Sequence, residues 1–144
     1  MSVGRLRAAI AMLSLLGAGI AAYLVYTRYS GASLFCQTGG CETVQNSKYS
    51  EVAGIPVAVL GLIGYAVIFV TAAFPGPTSA ALGVTLAVIG VAFSAYLLYA
   101  QLVLIDAICQ WCVANDVVIT LVALACLWRF RRENAYSVAT ASGR

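Results

Sequence analysis

Residues 52–105 read VAGIPVAVLGLIGYAVIFVTAAFPGPTSAALGVTLAVIGVAFSAYLLYAQLVLI, a stretch without a single charged side chain. A helix that crosses a bilayer needs about 20 apolar residues, so the stretch is long enough for two. The segment FPGPTS at residues 74–79 divides it, because proline and glycine interrupt helices. The sequence therefore predicts two membrane-spanning helices, at about residues 54–74 and 80–105, with Pro56 in the opening turn of the first.

Two further apolar segments flank this stretch. Residues 8–27 contain no charge, and residues 108–128 contain one charged residue, Asp116. We therefore predict an all-α fold, a bundle of four transmembrane helices in one domain at residues 1–134. Residues 135–144 are mostly polar and are predicted to form a disordered cytoplasmic tail. Four glycines in the middle helices are interpreted as close-packing positions between helices: Gly61, Gly64, Gly83 and Gly90.

The composition excludes several classes of protein. Of the 144 residues, 62% are hydrophobic and 9% are charged, against about 25% charged residues in soluble proteins. With a mean hydropathy of +0.96, the chain is neither a water-soluble globule nor a disordered protein. The basic residues lie at the ends of hydrophobic runs, which does not indicate nucleic-acid binding. The absence of histidine excludes histidine-based catalysis and histidine-rich metal sites.

The positions of the basic residues predict the orientation in the membrane. Six of the eight Lys and Arg residues flank the outermost helix ends: Arg5, Arg7, Arg129, Arg131, Arg132 and Arg144. Because cytoplasmic segments carry an excess of Lys and Arg, both termini of this multi-pass inner or plasma membrane protein are predicted to be cytoplasmic. The loop at residues 28–53 is then extracytoplasmic. A cleaved signal peptide at the N-terminus is the alternative, and it would leave three spans.

Five cysteines divide into two pairs and a single residue. Cys36 and Cys41 lie in the long loop, where a Gly-Gly pair between them allows the chain to reverse. Cys109 and Cys112 form a CxxC motif at the extracytoplasmic end of the fourth helix. Cys126 follows far along the same helix, roughly 21 Å deeper, and cannot join the other four. The topology therefore places two cysteine pairs on the same, oxidising side of the membrane.

A CxxC motif at a helix start suits disulfide exchange. Unpaired backbone N–H groups and the helix dipole stabilise a thiolate there, and the thiolate is the attacking species. Two such pairs on one face make an electron relay possible. The alternatives are two static disulfides, or a metal site formed by the four cysteines.

Two polar residues follow the CxxC motif on the same helix. Asp116 shares a helical face with Cys109 and Cys112, and Asn115 is its neighbour. An ionisable residue inside a membrane segment is a functional candidate, so Asp116 or Asn115 is expected to contact an oxidised acceptor next to Cys112. Alternatively, Asp116 only satisfies N–H groups at the start of the helix. The chain has no haem or nucleotide motif, which leaves a lipid-soluble quinone as the hypothetical electron acceptor.

Four motifs together resemble the bacterial branch of the vitamin K epoxide reductase family: Cys36-x4-Cys41, SKYS at 47–50, GIPVAVLGLIGY at 54–65 and ICQWC at 108–112. The resemblance covers nearly the whole chain. It implies a four-helix bundle around a quinone, either ubiquinone or menaquinone, capped by the loop with a short interfacial helix at about residues 47–53.

The resemblance also implies roles for the cysteines. Cys112 would face the quinone, Cys109 would exchange with Cys41, and the Cys36–Cys41 pair would take electrons from a thioredoxin-fold partner of the DsbA type. That partner would act in trans, because the chain stops at Arg144. The implied activity is quinone reduction coupled to disulfide formation. A small membrane transporter or channel with structural disulfides is the alternative.

Overall fold

The computed structural model describes residues 1–144 and contains four long helices. These are α1 (Val3–Ser30), α3 (Val57–Ala73), α4 (Pro77–Tyr99) and α5 (Gln110–Ser142). The segment at residues 31–56, called the cysteine loop below, joins α1 to α3. It contains the short helix α2 (Cys41–Gln45), a 3-10 turn (Lys48–Ser50) and a hairpin of strands β1 (Glu51–Val52) and β2 (Ile55–Pro56).

The four long helices pack in the cyclic order α1, α3, α4, α5, with α5 returning to α1. Their inner faces carry small or medium-sized side chains, which bring the helices close together: Ile10, Ser14, Ala21, Ile68, Ala87 and Val122. Their outer faces expose large apolar side chains: Leu15, Leu16, Ile63, Val70, Leu82, Ile89, Leu121 and Leu124. An apolar outer surface of this extent fits a lipid environment.

Three of these helices are long and apolar enough to cross a membrane: α1, α4 with its continuation to Ile105, and α5. The fourth, α3, is apolar but has only 17 residues. It begins later than residue 54 because the chain first makes the β1–β2 hairpin. Ala53 and Gly54 form the two-residue turn with φ of 54° and 81°, the left-handed conformation that tight hairpins require.

The cysteine loop differs from the expected interfacial helix at residues 47–53. Only Lys48–Ser50 are helical there, in a single 3-10 turn, and the strand β1 follows directly. The longer helical piece is α2, which starts at Cys41 itself.

The end of α4 is irregular. Residues Ala100–Ile105 continue the helix with π geometry, and Asp106 ends it with φ of 54°. Short π segments inside helices often lie at functional sites. Here the segment leads directly to the CxxC motif.

Helix α5 continues to Ser142, well past residue 128, and the expected disordered tail at residues 135–144 is therefore helical through most of its length. Residues 113–142 contain neither glycine nor proline, so nothing interrupts the helix. The hydroxyl groups of Ser137 and Thr140 also bond to the backbone carbonyls one turn earlier.

Two arginines satisfy the last carbonyl groups of the short helix α3. Arg129, which is 1% exposed, donates to the carbonyl oxygens of Thr71 and Phe74 at 2.8 and 2.7 Å. It also pairs with Glu133 at 2.9 Å. From the other side, Arg7 donates to the carbonyl of Ala72 at 2.8 Å. Carbonyls in the last turn of a helix have no partner within the helix, and the Thr71 carbonyl also accepts the Ser79 hydroxyl at 2.6 Å.

Candidate active site

The cysteine loop lies directly on the start of α5. The Trp111 indole donates to the Phe35 carbonyl at 2.7 Å, and the Thr38 hydroxyl donates to the Ile108 carbonyl at 2.8 Å. A third bond runs from the Gln37 backbone N–H to the Gln110 side chain at 2.9 Å. These bonds end on the residue before the CxxC motif and on the two residues between its cysteines, and they hold the loop against it.

Gly40 allows this close approach. A Cβ atom at this position would lie 2.6 Å from the carbonyl oxygen of Ile108 and 2.8 Å from its nitrogen. Both are backbone atoms, so no side-chain rotation can make room. The Gly-Gly pair therefore brings the loop backbone into contact with the residue that precedes Cys109.

The structure brings the four predicted redox cysteines together at one end of the bundle. Cys36 and Cys41 form a disulfide, and Cys109 and Cys112 are free thiols. Cys41 and Cys109 are both 0% exposed and form a buried cluster with Val44, against which Cys36 and Cys112 pack. Cys36 is the partly exposed member of the loop pair. The sulfurs are thus arranged from a surface position, through a buried contact, towards the bundle interior.

Cys109 is the N-cap residue of α5. Its sulfur accepts the backbone N–H of Cys112 at 3.3 Å and touches the Cys112 sulfur. As the N-cap residue it lies at the positive end of the helix dipole, which stabilises a thiolate. Cys109 is therefore the sulfur of this pair that more readily carries negative charge.

A cavity of about 400 Å³ lies beside Cys112, between the four long helices and the cysteine loop. Asn115 and Asp116, the two residues expected to contact an acceptor, both line it. Asp116 accepts a hydrogen bond from Ser94, but its second oxygen and the side-chain oxygen of Asn115 are buried without a partner. Tyr65 reaches the backbone carbonyl of Asn115 at 3.4 Å. The cavity thus combines an apolar wall with unpaired polar atoms next to a thiol.

Two of the four glycines do not pack against a helix. Cβ atoms at Gly61 and Gly64 would meet nothing within 4 Å, and both glycines line the cavity, so their interpretation as close-packing positions is wrong. That interpretation is confirmed for Gly83 and Gly90, where a Cβ atom would lie 2.9 Å from Thr71 and from Ile119 respectively.

Sequence reasoning missed Gln101. Its side-chain oxygen accepts the backbone N–H of Cys109 at 2.8 Å, so it holds the first cysteine of the motif in place. Gln101 is the only side-chain amide within residues 80–105. A polar side chain in such an apolar segment is the signal that would have identified it.

Arg28 was also missed, because the sequence presents it as a residue at a helix boundary. Its guanidinium bonds to the Gln45 carbonyl and to the Ser50 hydroxyl, and it pairs with Glu51. Arg28 also lines the cavity. It therefore ties the end of α1 to the second half of the cysteine loop.

Cys126 lies elsewhere, buried in the core of the bundle, where its sulfur would be 3.8 Å from a Cβ atom at Gly83. No group of three His, Cys, Asp or Glu side chains is arranged to hold a metal ion. The four-cysteine metal site considered from sequence has no counterpart in this geometry.

Comparison with known proteins adds two findings. Residues 8–127 match the sequence model of the vitamin K epoxide reductase family, as the motifs predicted. The chain is also 36% identical over 66 residues to the thiol-disulfide oxidoreductase LTO1 of Arabidopsis thaliana. That match covers 44% of the chain and 18% of LTO1, so the matched region is less than a fifth of that relative's length.

Proposed function

Because the chain belongs to the vitamin K epoxide reductase family, we propose that it is a membrane thiol oxidoreductase that transfers electrons from an external thiol protein to a quinone. One observation carries the proposal. Cys41 and Cys109 meet in a buried cluster, with Cys36 towards the surface on one side and Cys112 at the cavity on the other. The similarity to LTO1, a thiol-disulfide oxidoreductase by name, supports thiol chemistry.

The first half of the proposed cycle occurs at the loop. A thiolate of the reduced partner, a thioredoxin-fold protein of the DsbA type, attacks Cys36, which is the accessible sulfur of the disulfide. Cys41 leaves as a thiolate, and the partner's second thiolate then releases Cys36. The partner has become a disulfide, and the two electrons now reside on the loop pair.

The second half moves the electrons inward. Cys41 attacks Cys109 of the oxidised CxxC pair, which frees Cys112, and Cys36 then attacks Cys41 to release Cys109. The loop disulfide is restored and the CxxC pair is reduced. Each step forms one S–S bond and breaks another, so the protein needs no further oxidant until the CxxC pair itself is reoxidised.

The cavity suits a quinone as the acceptor for that reoxidation. Its volume lies in the range of small-molecule sites, and it places unpaired polar atoms of Asn115 and Asp116 near Cys112. A bound ubiquinone or menaquinone would supply the capacity to accept two electrons and two protons. Asp116, held by Ser94 through one oxygen, has its second oxygen available to hold and deliver a proton.

The proposed topology has all four long helices crossing the membrane, with residues 1–134 as one domain, both termini cytoplasmic and the redox cysteines extracytoplasmic. At 1.5 Å per residue, α3 spans about 26 Å, slightly less than a hydrocarbon core of about 30 Å. Arg7 and Arg129 at its last carbonyls fit a helix end at the cytoplasmic interface. This orientation is tested in intact cells: cysteines are introduced by mutation and labelled with a membrane-impermeant maleimide.

The activity is tested with purified protein in detergent, given a reduced DsbA-type protein and a short-chain ubiquinone. We expect quinone reduction by the unmodified protein and by Cys126→Ala, because Cys126 lies away from the other sulfurs. Cys112→Ala should abolish it. Full activity of Cys112→Ala would contradict the mechanism.

A further inference from the structure

Gln101 organises the turn that precedes the CxxC motif. Its backbone carbonyl accepts the N–H of Ala107 at 3.1 Å, and its side-chain oxygen accepts the N–H of Cys109 at 2.8 Å. The side chain is 1% exposed and projects from the π-helical segment at the end of α4. Both bonds fix the position of Cys109 at the start of α5.

The side-chain nitrogen of Gln101 makes no hydrogen bond. The Gln101 nitrogen, Nε2, is buried and has no hydrogen-bond partner, and the residue lines the cavity beside Cys112. Because Oε1 is committed to Cys109, the amide cannot flip to exchange its two ends. An unpaired donor in this position is costly unless something that enters the cavity accepts its hydrogen bond.

The unpaired atoms around the cavity differ in character. Those of Asn115 and Asp116 are oxygens, whereas that of Gln101 is an N–H donor. A quinone offers carbonyl oxygens, which only accept hydrogen bonds, and its reduced form offers hydroxyl groups, which donate to oxygens. The cavity therefore contains an unpaired group for each form of such a molecule.

We propose that Gln101 is a binding residue for the acceptor, donating a hydrogen bond from Nε2 to a quinone carbonyl oxygen while Oε1 holds the backbone of Cys109. This inference rests on the proposed function and deepens it. One side chain then connects the bound acceptor with the position of the CxxC pair. Binding of the acceptor and placement of Cys109 share a single amide group.

Two substitutions separate the two ends of the amide. Gln101→Glu keeps an oxygen for the Cys109 N–H and removes the donor when its carboxyl is ionised, so binding is measured at a pH that ionises it. Gln101→Met removes both the acceptor and the donor. Leu102→Met is the matched control, because Leu102 is the next residue on the same segment and is 54% exposed. The dissociation constant of a short-chain ubiquinone is measured by calorimetry on detergent-solubilised protein, together with the rate of exchange between the loop and the CxxC pair.

We expect both Gln101 variants to bind the quinone about tenfold more weakly, the loss of one hydrogen bond in a buried site, and Leu102→Met to bind it unchanged. The exchange rate should fall in Gln101→Met and persist in Gln101→Glu. Wild-type quinone affinity in Gln101→Glu would overturn the inference while leaving the proposed function intact, and so would unfolding of both Gln101 variants, which would assign the residue a structural role. If the unmodified protein exchanges disulfides but neither binds nor reduces the quinone, the proposed acceptor is wrong, and this inference falls with it.

Discussion

Replacing Arg129 by methionine should strongly destabilise the bundle, although methionine is the more apolar residue. Arg129 is 1% exposed and makes two hydrogen bonds to the last carbonyls of α3 and an ion pair with Glu133. Each bond from a charged donor contributes about 1.5–3 kcal/mol. The substitution would also leave a buried carboxylate without its partner.

Because these losses belong to one residue and are not additive, we expect a total of about 3–5 kcal/mol, the range found when one partner of a buried ion pair is removed. For a chain of this size, that is a fall of roughly 10 °C in Tm. The Tm is measured by thermal unfolding in detergent, with intrinsic tryptophan fluorescence as the probe. The Tm of Arg129→Lys should lie between those of the unmodified protein and Arg129→Met, because lysine keeps the charge but lacks the planar guanidinium that reaches two carbonyls.

Arg131→Met is the control for this prediction. Arg131 belongs to the same group of arginines after the fourth apolar segment, Arg129, Arg131 and Arg132, but it is exposed. Its substitution should change the free energy of unfolding by less than about 0.5 kcal/mol. Equal losses of Tm in Arg129→Met and Arg131→Met would refute the reasoning, because the effect would then follow from net charge and not from the buried contacts.

Three further predictions concern the site. Gly40→Ala should slow exchange between the loop and the CxxC pair by roughly ten- to a hundredfold, because the added Cβ atom would lie 2.6 Å from the Ile108 carbonyl oxygen; a normal rate in stopped-flow measurements would contradict the close approach. Gly64→Leu should weaken binding of a short-chain ubiquinone by filling the cavity. Gly19→Leu should leave the dissociation constant unchanged, because a Cβ atom there also meets nothing within 4 Å but Gly19 does not line this cavity. Asp116→Asn should lower the rate of quinone reduction on the order of 100-fold without affecting thiol exchange. A rate of quinone reduction equal to that of the unmodified protein would contradict the role of Asp116 in proton delivery.

The sequence predicted the long helices because each is a run of apolar residues between charges or turns. It also predicted that the two cysteine pairs meet, since the loop joins the first two spans and the CxxC motif begins the fourth, on the same predicted side of the membrane. Both conclusions depend on the order of residues along the chain. The number of helices that cross the membrane remains a proposal, because α3 is short.

The features that the sequence did not predict depend on contacts between segments that are distant along the chain. Arg129 and Arg131 both follow the fourth apolar segment in the sequence, and only the hydrogen bonds from Arg129 to the end of α3 distinguish the buried residue from the exposed one. Likewise, Gly64 and Gly83 have similar apolar surroundings in sequence, but Gly64 lines the cavity, whereas a Cβ atom at Gly83 would lie 2.9 Å from Thr71. Local patterns contain no information about such partners.

The complete burial of Cys109 has a consequence for selectivity in the proposed cycle. Small reductants in the surroundings, such as free thiols, have no direct access to a sulfur that is 0% exposed. At the loop they react at Cys36, where a protein partner competes with them. Cys109 is thereby shielded from direct reduction by small thiols, and fewer of their electrons pass to the quinone.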